Sequence, residues 1–371
     1  MPLAGPPEPA ALPVTDDAPV RQALQELARG DSLSSEAAAA AFSVLMRGEA
    51  TPTLISALLM GLRTKGETPD EVAGAAVALR GAMTRVVVDQ PDRLVDTCGT
   101  GGGRVGTLNL STAAAFVLAG AGVPVAKHGN RSYTSRSGSA DVLEALGVDI
   151  QLTADRAAAV LCEAGLVFLF APSFHPAMRH MGPVRKELGV PTIVNLLGPL
   201  VNPAGVTRQV IGVADRGRAP LVASALARLG TTHALVLHAD VGMDEVSPCG
   251  LTRVWEVRQH AVSEWLIEPH RYGLACDDLD GLAGGEPAEN AERIERLLDG
   301  GDAGTAVRCA VLLNAAAGLY VSDQEPTFEQ GVERATAALR SGAGRAALER
   351  LRSAAPGRGV DVMKPIDILS P

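Results

Sequence analysis

The sequence predicts an α/β protein, in which a small all-helical domain precedes a larger α/β domain with a mainly parallel central sheet. Two observations favour this class. Residues 20–83 show a helical pattern without a strand, and after Arg93 short apolar strands alternate with helices. The length of 371 residues, with 47% hydrophobic and 20% charged residues, is typical of a globular chain with more than one domain.

Helix start signals organise the N-terminal part. Thr51 and Thr68 are each followed by proline, which supplies an N-cap and a favourable first helical residue, and Glu71 completes a capping box with Thr68. The first 18 residues are rich in Pro and Ala and are expected to form a disordered tail. The stretch 175–205, with one expected helix and no clear strand partner, is expected to pack on the helical domain.

The α/β part is expected to begin where the hydrophobic period changes. Strands are predicted from residue 94 to the glycine loop and at 123–126, 167–170, 209–213, 234–238 and 253–257, with helices at 109–121 and 139–146. The predicted domain bounds are 1–18 for the tail, 19–90 for the helical domain with 175–205 packed on it, and 91–174 with 206–371 for the α/β domain.

Composition excludes several classes of function. The formal net charge of −9 disfavours nucleic-acid binding, which needs a basic surface. The five cysteines are an odd number without CxxC spacing, so neither a disulfide framework nor a zinc site is expected. The longest apolar stretch, 113–126, is shorter than the roughly 20 residues of a membrane span, and the first residues lack the features of a signal peptide. A cytoplasmic protein without a membrane partner is expected.

Residues 99–103 (Gly-Thr-Gly-Gly-Gly) follow one strand and precede a helix. Consecutive glycines let backbone N–H groups approach a phosphate, and a helix N-terminus adds a favourable dipole. The loop is neither a Walker A motif nor a GxGxxG fingerprint, so by itself it is equally compatible with plain turn chemistry. Asn109, Ser111 and Thr112 follow; one of them suffices for an N-cap, and Ser111 is also a plausible oxygen ligand for Mg²⁺.

Two further polar segments are expected at the same edge of the sheet. Residues 127–131 (Lys-His-Gly-Asn-Arg) form a basic loop after a strand, continued by hydroxyl residues that suit phosphate binding. Asp244 and Glu245 follow a later strand and are expected to hold Mg²⁺ against a pyrophosphate rather than lie solvated.

Residues 175–186 are expected to form one helix that carries Arg185, which is suited to clamping a carboxylate.

Taken together, these segments closely resemble the anthranilate phosphoribosyltransferase family of tryptophan biosynthesis, over nearly the whole chain after the tail. The resemblance rests on residues 99–103, 109–112, 127–131, 137–141, 175–187 and 195–203 and on the pair Asp244-Glu245. It implies transfer of the 5-phosphoribosyl group from phosphoribosyl pyrophosphate to the amine of anthranilate by a homodimer formed through the helical domain. No residue is assigned as an acid or base, because an arylamine is already a nucleophile.

The resemblance also implies roles for individual residues. It implies phosphoribosyl pyrophosphate contacts from Gly99, Gly102, Gly103, Thr107, Asn109, Leu110, Ser111, Thr112, Lys127, Ser135 and Ser139. It implies anthranilate contacts from Gly99, His128, Asn130 and Arg185. It implies Mg²⁺, as two ions, at Ser111, Asp244 and Glu245.

One position departs from the family pattern. The family's glycine loop commonly ends in Asp, where this sequence has Gly103 followed by Arg104. The loss of a carboxylate beside the phosphates bears on magnesium dependence and affinity, whereas the substrate class is expected to survive. Two alternatives stay open: a pyrimidine nucleoside phosphorylase, which has a similar fold and glycine loop, and a non-enzymatic nucleic-acid-binding relative, which the net charge and the acidic pair oppose.

Overall fold

The computed structural model describes residues 16–132 and 136–357. Most of the predicted tail therefore lies outside the described residues, and Ala18 already begins the first helix. In chain order, the strands are β1 Val95–Gly99, β2 Val125–Gly129, β3 Leu166–Phe170, β4 Arg208–Gly212, β5 His233–Ala239, β6 Thr252–Arg258 and β7 Ala261–Ile267. They form a sheet of order β3-β2-β1-β4-β5-β6-β7, in which β1 to β5 are parallel and β6 and β7 are antiparallel.

Helices surround this sheet and precede it. The α-helices are α1 Ala18–Ala28, α2 Ser35–Arg47, α3 Pro52–Lys65, α4 Pro69–Ala82, α5 Leu110–Gly120, α6 Ser139–Ala145, α7 Ala154–Ala164, α8 Ala171–Phe174, α9 Gly182–Leu188, α10 Val194–Leu197, α11 Ala219–Arg228, α12 Pro287–Leu298, α13 Thr305–Val321, α14 Phe328–Arg340 and α15 Ala343–Ala354. Short 3-10 helices lie at Pro91–Arg93, Pro176–His180, Gly198–Leu200, Arg216–Arg218, Pro269–Tyr272 and Asp280–Leu282.

The sheet separates two hydrophobic clusters, because successive strand residues point to opposite faces. Val210 belongs to the cluster that contains α5, α13, α14 and α15, whereas the next residue, Ile211, belongs to the cluster that contains α2, α3, α4 and α11. Leu235 and Val236 divide between the clusters in the same way. The N-terminal helices therefore share a continuous apolar core with one face of the sheet. The predicted fold class is confirmed.

Glu71 organises the N-terminal helices from a fully buried position. Its carboxylate accepts hydrogen bonds from the backbone N–H groups of Leu33 (2.9 Å) and Thr68 (2.8 Å), and from Lys65 Nζ at 3.1 Å. The Thr68 hydroxyl accepts from the N–H of Glu71 in return, which confirms the predicted capping box. One side chain thus joins the start of α4 to the end of α3 and to the loop before α2.

Two local expectations were wrong. The single helix expected over 175–186 is divided into a 3-10 helix, Pro176–His180, and α9, because proline at residue 183 fits only the first turn of a new helix. Strand β2 continues to Gly129, so Lys127 and His128 are buried strand residues rather than members of the predicted basic loop. Strand β7 was not predicted; it pairs with β6 through a turn in which Gln259 and His260 take positive φ angles.

None of the helices within residues 16–132 and 136–357 has the length and apolar character that a membrane crossing requires.

The buried contacts of Glu71 generate a stability prediction. Glu71→Ala leaves two backbone donors without their acceptor and removes the carboxylate partner of Lys65, so we expect the free energy of unfolding to fall by about 2–4 kcal/mol. Thr51→Ala removes an ordinary exposed N-cap on α3 and is the matched control, with an expected loss of about 1 kcal/mol. Urea denaturation followed by circular dichroism measures both values. Equal losses in the two variants would contradict the role given to Glu71.

Candidate active site

The polar segments identified in the sequence meet at the carboxyl edge of the parallel strands. They line a cavity of about 1640 Å³. The cavity is lined by fourteen of the predicted site residues: Gly99, Gly102, Gly103, Thr107, Asn109, Ser111, Thr112, Lys127, His128, Asn130, Ser139, Arg185, Asp244 and Glu245. Leu110 instead points into the hydrophobic core, and Ser135 lies outside the described residues. The cavity is also lined by arginines that suit anionic ligands, namely Arg63, Arg104, Arg179 and Arg216, whereas the lining residue Arg218 is paired with Glu67.

The glycine loop leaves β1 and passes over the end of β4. The N–H of Thr100 donates to the carbonyl of Gly212 at 2.9 Å, and the Thr100 hydroxyl accepts from the N–H of Ala214 at 3.1 Å. Gly101 and Gly102 have φ angles of +67° and +84°, and no atom lies within 4 Å of the position that a Cβ would take at either residue. The loop thus exposes its backbone to the cavity in a conformation that favours glycine.

The carboxylate of Asp244 lies beneath this loop. A Cβ added at Gly99 would be 3.0 Å from Asp244 Oδ2, and one added at Gly103 would be 2.8 Å from Oδ1. A Cβ on Gly212 would coincide with the carbonyl oxygen of Asp244. Glycine is therefore required at Gly212 by backbone packing, and the two loop glycines leave the room that the carboxylate occupies.

Glu245 is fixed by the next part of the loop. Thr107 Oγ1 donates to Glu245, at 3.1 Å from Oε1 and 3.3 Å from Oε2. Burial, followed by the neighbouring Asp244 charge, raises the pKa of Glu245 well above its usual range, and burial also raises the pKa of Asp244. Two adjacent carboxylates in a desolvated position repel each other, so a bound cation would stabilise the charged form of both.

Lys127 supplies a positive charge on the neighbouring strand. Its ammonium group donates to the carbonyl of Thr97 and, at 3.1 Å, to the hydroxyl of Ser111. Behind it, the buried Asp96 accepts from the N–H of His128 at 3.1 Å and from Asn202 Nδ2 at 2.9 Å. Burial lowers the pKa of Lys127 and raises that of Asp96, while each charge favours the ionised form of the other.

Asn109 and Ser139 hold the loops together instead of capping helices. Asn109 occupies the N-cap position of α5, but its side chain makes no capping hydrogen bond, which excludes the simple N-cap interpretation for this residue. Its amide donates to the carbonyl of Ser137 at 3.1 Å and accepts from Asn290 Nδ2 at 3.0 Å. Ser139 Oγ donates to the carbonyl of Asn130 at 3.2 Å. These bonds fix the two ends of the hydroxyl-rich segment.

Arg131 lines the cavity, but its guanidinium is engaged by carboxylates of α6. Its guanidinium donates to Asp141 at 2.6 Å and to both carboxylate oxygens of Glu144, at 2.6 and 2.9 Å. Thr112, by contrast, has a buried hydroxyl oxygen without a hydrogen-bond partner among the described residues. The basic segment therefore delivers Lys127 to the site, while Arg131 stabilises the start of α6.

Two buried histidines form another wall of the cavity. His128 Nδ1 lies 3.1 Å from the carbonyl oxygen of Gly198, and the rings of His128 and His175 have centroids 5.0 Å apart. A carbonyl can only accept, so Nδ1 of His128 carries the proton and Nε2 holds a lone pair. Burial lowers the pKa of His128 to about 3 and that of His175 to about 4, so both rings are neutral at pH 7.

Sequence reasoning missed Asn202 and Asn290 as individual contributors. Asn202 lies in the segment 195–203, whose motif was noted as a whole, and it bridges Asp96 and the carbonyl of Ala126. Asn290 lies at the start of α12, far along the chain from its partner Asn109, and no local pattern marks it.

The acidic pair fits Mg²⁺ as part of a ligand shell. Asp244 and Glu245 are half-buried carboxylates with raised pKa values, and hard oxygen ligands are what Mg²⁺ prefers. Within residues 16–132 and 136–357, no group of three or more His, Cys, Asp or Glu side chains could hold a metal ion. The protein therefore offers an incomplete site, as expected where substrate phosphates and water supply the remaining oxygens.

Comparison with known proteins establishes the family. A family model described as the glycosyl transferase family a/b domain matches residues 91–345, and one described as the helical bundle domain of that family matches residues 21–83. The anthranilate phosphoribosyltransferase of Rubrobacter xylanophilus is 48% identical over 331 residues, which are 89% of this chain and 96% of that protein. The chain belongs to the anthranilate phosphoribosyltransferase family. It is a glycosyltransferase-type enzyme of tryptophan biosynthesis, and the predicted resemblance is confirmed.

Solved structures of the family share the fold. Anthranilate phosphoribosyltransferase from Thermus thermophilus matches with a TM-score of 0.84 and 44% identity, covering 90% of this chain and 98% of that one. The Saccharomyces cerevisiae enzyme in complex with PRPP and Mg matches with a TM-score of 0.83 and 30% identity, covering 92% and 98%. The same yeast enzyme in complex with 4-fluoroanthranilate matches with a TM-score of 0.81 and 28% identity over the same shares.

The packing of Asp244 on β4 generates a prediction. Gly212→Ala forces the loop of Asp244 away from the strand, so we expect a loss of activity of at least about 10-fold together with a lower melting temperature. Gly81→Ala is the matched control, because Gly81 is exposed in α4 with open space around it, and the change should stabilise the helix slightly. Activity assays and thermal melts of both variants provide the measurement. Normal activity in Gly212→Ala would show that this contact is not required.

Proposed function

We propose that the cavity binds phosphoribosyl pyrophosphate and anthranilate, and that the chain transfers the 5-phosphoribosyl group to the anthranilate amine with release of pyrophosphate. The observation that carries this proposal is the position of Asp244 and Glu245. These half-buried carboxylates lie at the glycine loop, at the same edge of the sheet as Lys127. A site with acidic metal ligands beside N–H donors and an ammonium group suits a magnesium-bound pyrophosphate.

The phosphate groups are assigned to the glycine loop and the segments around it. Gly99, Gly102, Gly103, Thr107, Asn109, Leu110, Ser111, Thr112, Lys127, Ser135 and Ser139 remain the proposed contacts. Leu110 is buried in the core, so its contribution is limited to the backbone. The Thr112 hydroxyl has no hydrogen-bond partner among the described residues, and the loop that carries the N–H donors is held by Thr100 before the substrate arrives. Because these groups are positioned in advance, less reorganisation is needed as charge develops on the leaving group.

Magnesium is assigned to Ser111, Asp244 and Glu245, with two ions as the finer proposal. The two carboxylates each offer oxygen ligands, and Thr107 holds Glu245 in position. When bound, Mg²⁺ neutralises negative charge on the pyrophosphate as it departs. Lys127 Nζ donates to Ser111 Oγ at 3.1 Å, which occupies one lone pair of the hydroxyl and leaves the other for a cation. The family commonly has Asp at the position of Gly103. With glycine there, the Asp244 carboxylate has no acidic neighbour from the glycine loop.

Anthranilate is assigned to the part of the cavity lined by His128, Asn130, Arg185 and Gly99. Arg185 in α9 provides a guanidinium for the carboxylate. His128 is neutral, and its Nε2 is a buried acceptor without a hydrogen-bond partner among the described residues, since Nδ1 is engaged by Gly198. As the amine attacks C1 of the ribosyl group, its N–H becomes more acidic and His128 Nε2 can accept that hydrogen bond. Most of the rate acceleration is assigned to positioning and electrostatics.

The assembly and its location are further parts of the proposal. We infer a homodimer formed through the helical domain, where Val77 of α4 is a half-exposed apolar side chain. The domain bounds proposed are 19–90 with 175–205 for the helical unit and 91–174 with 206–371 for the α/β unit. A cytoplasmic location agrees with the five cysteines, all within the described residues and all free thiols.

The metal assignment predicts a coupled loss of activity. With phosphoribosyl pyrophosphate, Mg²⁺ and anthranilate, we expect anthranilate fluorescence to decay, and we expect the decay to stop with EDTA. Asp244→Asn should lower the rate by about 100-fold or more, since a charged ligand of the cation is lost. Asp89→Asn, the same change at a position outside the cavity, should leave the rate intact. No decay at any magnesium concentration would overturn the assignment, and phosphorolysis of pyrimidine nucleosides would be assayed next.

The state of His128 predicts a separate result. His128→Asn keeps a donor for the Gly198 carbonyl but has no acceptor at the position of Nε2, whereas the amide oxygen of His128→Gln can replace that acceptor. We expect kcat to fall about 10-fold or more in His128→Asn and to recover in part in His128→Gln. Because the pKa of His128 is about 3, its protonation should not lower kcat of the natural chain between about pH 8 and 5. A fall in kcat with an apparent pKa near the ordinary histidine value of about 6.5 that disappears in His128→Gln would contradict the neutral ring.

A further inference from the structure

Three thiols lie beside the loop that carries Asp244 and Glu245. Cys249 and Cys276 are half-buried, and both pack against the hydrophobic cluster that contains α13, the helix of the buried Cys309. Burial raises the pKa of the Cys249 and Cys309 thiols, and the nearby Cys276 contributes to both shifts. The proposed mechanism uses none of these three residues.

Cys249 and Cys276 are joined by a backbone contact. The N–H of Cys276 donates to the carbonyl oxygen of Pro248 at 3.0 Å, and Pro248 is bonded to Cys249. With standard bond lengths, this contact keeps the two Cα atoms within about 7 Å of each other. Disulfides usually span Cα separations of about 4.4–6.8 Å, so the backbone spacing of this pair is compatible with a bridge. Cys309 lies in a helix, where its own backbone groups are engaged in helical hydrogen bonds.

The group is not suited to a metal ion. Within residues 16–132 and 136–357, no set of three or more His, Cys, Asp or Glu side chains is arranged to hold one. Asp277 and Asp278 are exposed and lie near Cys249, where their charges add to the rise of its pKa. The negative charges of these two aspartates favour a neutral reaction partner over an anionic one for the Cys249 thiol.

A disulfide between these cysteines would link two chain segments that both lead to the acidic pair. Thr107 donates to Glu245, and the chain runs from Glu245 to Cys249. From Cys276 the chain runs to Leu282, whose carbonyl accepts from the N–H of Leu108 at 2.8 Å. Residues 276–282 therefore connect the cysteine pair to the segment that holds Glu245. Restraint at the pair would be transmitted to the loop from both ends.

We propose that Cys249 and Cys276 form a reversible intramolecular disulfide that restrains the loop of Asp244 and Glu245. The oxidant is a small neutral disulfide, RSSR. The Cys276 thiolate attacks one of its sulfurs, the S–S bond breaks, and the first thiol RSH leaves with a proton. Cys249 then attacks the Cys276 sulfur of the mixed disulfide and releases the second RSH. The chain loses two electrons and two protons, and RSSR is reduced to two thiols.

Cys276 is assigned the first step for two reasons. Burial raises the pKa of Cys249 and makes its thiol a poor nucleophile at neutral pH. Cys276 is flanked by exposed residues, Ala275 and Asp277, which give an incoming disulfide access. The effect of the restrained loop on activity rests on the proposed function, whereas formation of the disulfide between Cys249 and Cys276 does not.

Mass spectrometry of the full chain tests the bond. The reduced protein is incubated with 2-hydroxyethyl disulfide, alkylated and digested. We expect a cross-linked pair of peptides that contains Cys249 and Cys276 and is lighter than the two reduced peptides by two hydrogen atoms. The pair should vanish in Cys249→Ser and Cys276→Ser and persist in Cys162→Ser and Cys309→Ser, which remove the exposed and the buried thiol outside the pair. A chain that stays reduced, stops at mixed disulfides or links Cys276 to Cys309 would overturn the proposal.

Hydrogen exchange tests the restraint. In the oxidised protein, amides of residues 240–251 should exchange at least about 3-fold more slowly than in the reduced protein, and dithiothreitol should reverse the change. The melting temperature should rise by about 2–4 °C, because the bond limits the unfolded chain. Unchanged exchange in a fully bridged protein would overturn the coupling to the loop. Both readouts are independent of turnover, so they separate this inference from the proposed function.

Discussion

The ends of three adjacent parallel strands are the constraint on which the site depends. Strands β2, β1 and β4 finish at Gly129, Gly99 and Gly212, and Gly99 pairs directly with Gly212. Side chains at these positions would meet Ser139, the Asp244 carboxylate and the Asp244 backbone, respectively. Because the strand ends carry no Cβ, polar loops fold back onto the edge of the sheet. The cavity is the result of this close approach.

The same edge gathers opposite charges in a desolvated setting. Asp96 and Lys127 balance each other on neighbouring strands, whereas Asp244 and Glu245 share one loop and repel each other. A buried charge without a partner is costly, and the raised pKa values of the acidic pair express this cost. The arrangement is therefore unfavourable for the protein alone, and under the proposed function a bound cation and an anionic substrate would offset this cost. This difference in stability is the physical basis of a binding site.

The segment between β3 and β4 couples the N-terminal helices to this edge. Met181 and Val184 pack in the cluster that contains α2, α3 and α4. Further along the segment, Gly198 accepts from the ring of His128, and Asn202 donates to Asp96. A displacement of the N-terminal helices would thus reach the histidine wall and the buried aspartate. Residues that carry no reactive group themselves fix the orientation of those that do.

The sequence by itself determined the fold class, the capping box at Thr68 and the segments that line the cavity, because these follow from local periodicity, backbone propensities and the meeting of parallel strands at one edge. Tertiary structure decided that Lys127 and His128 are buried strand residues and that Asn290 supports Asn109. It also decided that Arg131 binds Asp141 and Glu144 at the start of α6. These outcomes depend on burial and on partners distant along the chain, which local patterns do not encode. The Gly212 requirement is of the same kind, since only the packed backbone of Asp244 explains it.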